Sequence, residues 1–123
     1  MTGRSLAGKR VLVVEDELLV ALLLEDVLIE AGCVVIGPFA RLPAALAAAR
    51  KEAVDVALLD VNVAGEKIFP VAYILEERGV PFLFVTGYGR AVLPRDRPQW
   101  EACVKPFDPV QLAERLAQVA AKS

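Results

Sequence analysis

Residues 80–89 read VPFLFVTGYG, an apolar run that stops at a lone hydroxyl, Thr86, followed by two glycines, Gly87 and Gly89. Two other stretches have the same form. RVLVVEDE (10–17) ends in the carboxylates of Glu15 and Asp16, and VDVALLDVN (54–62) ends in Asp60 and Asn62. Short runs that are apolar at consecutive positions and rich in branched residues read as strands buried on both faces. Polar residues just past such strands belong to a sheet edge. Whether all three share one edge decides the fold.

The rest of the chain supplies the answer. Strands at 11–14, 34–36, 56–59, 82–85 and 102–104 alternate with helical patterns at 18–31, from Pro43 through AALAAARKE, and at 70–78. A last helix is expected with Asp108 as N-cap, Pro109 in its first turn, and Leu112, Leu116 and Val119 on its apolar face. Gly32 and Gly79 are placed to cap the first and third helices, and Gly-Pro at 37–38 closes the second strand. Only 87–98 breaks the alternation. Pro94 and Pro98 leave room for no more than a turn or two near Arg90–Leu93. Strict alternation with fully apolar strands predicts an α/β fold, a doubly wound five-stranded parallel sheet covered by helices on both sides. Right-handed crossovers then bring the carboxyl ends of all strands to one edge, where ligands bind in such folds.

Composition narrows the function. The chain has 123 residues and a net charge of −2, enough for a single domain (1–123) with one core and without the basic footprint of a nucleic-acid binder. Arg90, Arg95 and Arg97 read as a solvated loop. No run is long enough to span a membrane, and residues 1–9 lead into a strand without a secretory leader, so a cytoplasmic location is expected. Cys33 and Cys103 lie in apolar runs and read as small hydrophobes in a reducing compartment. The absence of histidine removes the commonest general base and metal ligand.

Glu15, Asp16, Asp60, Asn62, Thr86 and, after the fifth strand, Lys105 therefore converge. Three carboxylates at one edge repel each other unless a cation is present, and oxygen ligands without histidine or thiolate suit Mg2+. An ammonium and a hydroxyl beside them match the needs of a phosphoryl group. With no serine or cysteine placed for attack, Asp60 at the tip of the central strand is the candidate nucleophile.

This set resembles the receiver domain of two-component response regulators: Glu15-Asp16, Asp60, Thr86 and Lys105-Pro106 follow successive strands, and the likeness covers nearly the whole chain. The resemblance implies a flavodoxin-like strand order of 2-1-3-4-5. It implies that Asp60 accepts a phosphoryl group from a phosphohistidine on a sensor histidine kinase or histidine phosphotransfer protein. Asp16, Asp60 and the backbone carbonyl of Asn62 would bind Mg2+, with Glu15 assisting through water. Thr86 and Lys105 would contact the phosphoryl oxygens, and a cis peptide would join Lys105 to Pro106. The FVTGYG run at 84–89 also resembles a stand-alone subfamily with a short or degenerate fourth helix and no output domain. Such a chain is a switch, shuttle or sink for phosphoryl groups rather than a conventional enzyme. One position departs from the pattern. Ala102 stands where receivers usually carry the aromatic that turns inward with Thr86, which puts Tyr88 or a rearranged 87–98 segment in the switching role.

Two other functions are weighed. An Asp-nucleophile phosphatase needs a second aspartate two residues after the nucleophile, where this chain has Asn62. A degenerate receiver serving as a constitutive binding surface would not need the intact Asp60, Thr86 and Lys105. Leu18, Leu19, Leu22, Leu23 and Leu24 leave the first helix almost without a polar face. They read either as deep burial or as a docking patch for the kinase partner or for a homodimer.

Overall fold

Each strand that the alternation predicts is present in the computed structural model, which describes residues 5–122. The reading of residues 1–9 falls partly on residues 1–4, outside the described residues. β1 (Arg10–Val14), β2 (Val34–Phe39), β3 (Val56–Asp60), β6 (Phe82–Thr86) and β7 (Ala102–Val104) form one parallel sheet in the order β2-β1-β3-β6-β7. This is the order 2-1-3-4-5 once a short hairpin is set aside. That hairpin, β4 (Asn62–Val63) and β5 (Glu66–Lys67), was not expected. Its turn residues Ala64 and Gly65 have φ of 51° and 84°, the positive angles that a two-residue hairpin turn needs.

The helices are α1 (Leu18–Glu30), α2 (Leu42–Lys51), α3 (Phe69–Glu77) and α4 (Pro109–Ala121). Gly32 and Gly79 end α1 and α3 as expected. In each case the glycine amide and the next amide bond back into the last turn, Gly32 to Ile29 and Cys33 to Leu28, Gly79 to Glu76 and Val80 to Leu75. Asp108 caps α4 by accepting from Val110 N at 2.8 Å and Gln111 N at 3.2 Å.

The single core expected from the chain length is divided by the sheet into two, because alternating side chains face opposite sides, as a period of two requires. Leu12, Val14, Ala57, Leu59, Phe82 and Phe84 pack with α2 and α3 on one face. Val11, Val13, Val56, Leu58, Leu83 and Val85 pack with Leu24 and Leu28 of α1 and Leu112, Leu116 and Val119 of α4 on the other. Cys33 is buried in that second core and Cys103 is half-buried, both with free thiols.

β2 runs past the Gly-Pro pair that was expected to close it. Being an edge strand, it tolerates a proline, and its register against β1 shifts between Leu12 and Val14. Gly37 has a φ of 109°, and a Cβ there would stand 2.8 Å from Val13 O and from Phe39 N, so only glycine fits. Peptide bonds 37–38 and 105–106 are both cis.

The segment after β6 holds one 3₁₀ turn, Gly89–Val92, as its prolines dictate. It is less free than its composition suggests. Leu93 and Trp100 are buried in the α2/α3 core, where a fourth helix would otherwise cover the sheet. The Trp100 ring lies 5.2 Å from Phe82, 5.4 Å from Phe84 and 5.4 Å from Tyr73, and its Nε1 donates to Glu76 Oε2 at 3.2 Å. Arg97 pairs with the same carboxylate at 3.1 Å, while Arg90 donates to the carbonyls of Trp100 and Pro98. One indole thus anchors the whole segment to α3. Trp100→Ala is expected to lower the unfolding free energy by about 3–5 kcal/mol, as loss of a buried large aromatic does. Urea unfolding followed by circular dichroism measures this, and a change under about 1 kcal/mol would show that the segment is held by other contacts.

Candidate functional site

Sheet register determines which strand-end residues become neighbours. Val14 pairs with Leu59, so Glu15 emerges from β1 beside Asp60 at the end of β3. Asp60 in turn pairs with Val85, next to Thr86 at the end of β6. Thr86 pairs with Val104, and the Lys105 amide donates to the Thr86 carbonyl at 2.8 Å. The side chains at this edge are drawn from four strands of one sheet, and Glu15, Asp60 and Thr86 are the buried polar residues among those described.

One oxygen each from Glu15, Asp16 and Asp60 lies within 4.8 Å of the others. Lys105 Nζ faces them, 3.0 Å from Glu15 Oε1 and 3.5 Å from Asp60 Oδ2. Glu15 Oε1 is buried yet accepts no hydrogen bond, so its contact with the ammonium is an ion pair without hydrogen-bonding geometry. Burial, the adjacent Glu15 and, more weakly, Asp16 push the Asp60 carboxyl up from 3.8 to about 7, against the opposing pull of Lys105. Burial also works against the charge on Lys105. The hydrogen bond to Glu17 and the neighbouring Glu15 and Asp60 outweigh it and hold the ammonium well above the usual lysine range.

A divalent cation fits these residues. The donor set is all oxygen, it is crowded with negative charge, and it includes a buried carboxylate oxygen that no hydrogen bond satisfies. Asp16 is held by Ala64, whose N–H donates to its Oδ2 at 2.8 Å and ties the hairpin turn to the site.

The remaining predicted residues have other partners. Thr86 is buried, and its Oγ1 accepts from Tyr88 N at 3.1 Å. The Tyr88 side chain is exposed. Asn62 lies in the hairpin with its Oδ1 accepting from Lys67 Nζ at 2.7 Å. The first turns of α1 are not buried deeply: Leu18, Leu19, Leu22 and Leu23 are all exposed, and Leu24 alone of the five enters the core. Glu17, which the sequence reading left without a role, donates its amide to Glu15 Oε2 at 3.1 Å and accepts from Lys105 Nζ at 2.9 Å. A signal for it existed. Glutamate is a poor N-cap residue, yet it occupies the N-cap of α1.

Two grooves on the surface, of about 510 Å³ between α1 and α4 and about 380 Å³ beside Trp100, include none of these residues.

A response regulator receiver domain family model matches residues 11–117. The solution structure of SdrG from Sphingomonas melonis Fr1 is similar with 33% identity and a TM-score of 0.78, over 97% of this chain and 99% of SdrG. The REC domain of the Erythrobacter litoralis PhyR response regulator shares 32% identity with a TM-score of 0.80, over 92% of this chain and 90% of that domain. The response regulator PhyR from Brucella abortus is similar with 28% identity and a TM-score of 0.84 over 97% of this chain, which spans 50% of PhyR's length. No curated protein matches the chain by sequence. Among the described residues no helix is long and apolar enough to cross a membrane.

The raised Asp60 carboxyl has a measurable consequence in metal-free protein. Between the unfolded value of 3.8 and the folded value of about 7, the folded state binds more protons than the unfolded state, so this group's contribution to stability falls as pH rises. Asp60→Asn removes that dependence. Relative to the unsubstituted chain it is expected to gain about 1–3 kcal/mol between pH 4 and pH 8, less than the whole shift would give because Lys105 and solvent screen the charge. Urea unfolding in EDTA across this range checks the sign, and a gap that is constant with pH would contradict it.

Proposed function

The chain belongs to the response regulator receiver domain family, and from that membership we propose that Asp60 is the acceptor of a phosphoryl group from a phosphohistidine donor. One observation carries the reading: a nearly buried aspartate ends the central strand with two more carboxylates beside it and a lysine ammonium 3.5 Å away. A carboxylate oxygen of Asp60 attacks phosphorus as the P–N bond to the donor imidazole breaks. The imidazole nitrogen keeps the bonding pair and takes a proton from solvent, and the product is an acyl phosphate on Asp60. Asp16, Asp60 and the Asn62 carbonyl, with Glu15 assisting through water, would hold Mg2+, which would supply positive charge against the carboxylates and the phosphoryl oxygens. Lys105 balances the charge on the other side, and the Thr86 hydroxyl donates to a terminal oxygen.

The donor is a sensor histidine kinase or a histidine phosphotransfer protein. The exposed Leu18, Leu19, Leu22 and Leu23 adjoin the acidic loop and give such a partner an apolar surface to dock against. Asn62, placed where a phosphatase would need its general acid, offers an amide already engaged by Lys67, which disfavours that alternative. The output is a change in protein contacts. With alanine at 102 and Trp100 fixing the segment from 93 onward, the backbone free to follow Thr86 is 87–90, around the exposed Tyr88.

Asp60→Asn and Asp60→Ala are expected to abolish base-labile labelling from a phosphohistidine donor, and excess EDTA to suppress labelling of the unsubstituted chain. Labelling of equal strength in these variants would overturn the assignment of Asp60, and full labelling in EDTA would overturn that of Mg2+. For the output, addition of beryllofluoride with Mg2+ should slow amide exchange over 86–90, with little change at 93–100. Thr86→Ala should lose that response, and a response that survives intact in Thr86→Ala would mean the signal leaves without the hydroxyl.

A further inference from the structure

Lys105 has more partners than its role requires. Its ammonium meets three carboxylates, Glu15 at 3.0 Å, Glu17 at 2.9 Å and Asp60 at 3.5 Å, and the contact with Glu17 is the shortest and has full hydrogen-bonding geometry. The pair joins residues 88 positions apart in the chain, so it is made by the fold and not by local sequence. Glu17 is also the exposed member, its side chain 62% accessible against 1% for Glu15 and 9% for Asp60. Among the described residues nothing else pairs with this carboxylate. It stands at the N-cap of α1 but makes no capping hydrogen bond, although the helix has no acidic residue in its first turn. Its position is set from behind by its own amide, which donates to Glu15 Oε2.

We propose that Glu17 is a displaceable holding partner for Lys105: it keeps the ammonium hydrogen-bonded at the rim while Asp60 is free, and a phosphoryl group on Asp60 takes the ammonium over. The inference rests on the reading of Asp60 as phosphoacceptor. Its physical basis is the difference in burial. An ion pair with one exposed partner is weak, whereas a phosphoryl oxygen presents a stronger acceptor in a less hydrated place. The exchange therefore runs one way once the phosphoryl group arrives. Glu17 is a positioning residue, acting on phosphoryl binding only through Lys105. Its release also reaches the surface directly, because the next two residues are the exposed Leu18 and Leu19 that begin α1.

Two measurements on Glu17→Gln test this, with beryllofluoride as the phosphoryl mimic and Mg2+ saturating for each protein at low ionic strength. The first is beryllofluoride affinity. The second is the ε-methylene resonance of Lys105 before and after addition. Glu17→Gln should bind beryllofluoride about 2- to 5-fold more tightly, the equivalent of an exposed ion pair that no longer has to be broken. Without beryllofluoride, its Lys105 resonance should already lie toward the position that the unsubstituted chain reaches only on binding. Equal or weaker affinity, or a Lys105 resonance unmoved by the substitution, would overturn the holding role while leaving Asp60's role intact. Absence of any beryllofluoride response in either protein would instead overturn the phosphoacceptor reading and this inference with it.

Discussion

A single ammonium faces three carboxylates at the edge of this sheet, and the charge balance among them governs the rest of the site. Glu15 and Asp60 are buried at the ends of the adjacent strands β1 and β3. Burial makes their shared negative charge expensive, which is why Asp60 resists ionisation, while Glu17, Glu15 and Asp60 together hold Lys105 charged against its own burial. The same imbalance favours a divalent cation and then a phosphoryl group, since each brings what the other lacks. A site built from these charges in open solvent would be screened and indifferent to either. Set into the end of a buried sheet, these charges are screened far less and act on one another at close range.

Most of the fold could be read from the alternation of apolar runs and helical patterns, because parallel strands buried on two faces have no other arrangement to adopt. The caps followed for the same reason: Gly32, Gly79 and Asp108 answer backbone needs that exist wherever a helix ends. What was not legible has equally physical causes. The hairpin at Asn62–Lys67 has strands of two residues, too short to show any period. β2 continues through a proline because it is an edge, and edge position is a property of the sheet that no local sequence displays. Within the candidate site, the meeting of Glu15, Asp16, Asp60 and Lys105 follows from their places at strand ends. The direction that Lys105 takes does not, since Glu17 reaches it from a different strand end, and a third acid after an acidic pair reads as ordinary helix-start charge.

The 87–100 segment shows how a missing element is replaced. Two prolines prevent a helix, and the exposed face of the sheet is covered instead by Leu93 and by Trp100 among Phe82, Phe84 and Tyr73. Trp100 satisfies its indole N–H on Glu76, which Arg97 also grips, so the plug is polar at its rim and apolar beneath. Fixing the far end of the segment confines freedom to the residues beside Thr86.

The account depends above all on where the phosphoryl group goes. Incubation with phosphoramidate and Mg2+, followed by borohydride reduction, converts an aspartyl phosphate to homoserine, which peptide mass spectrometry locates to a single position. Homoserine at residue 60 and nowhere else is the predicted result. Conversion at residue 16, or no conversion at all under conditions that label an authentic receiver in parallel, would contradict it.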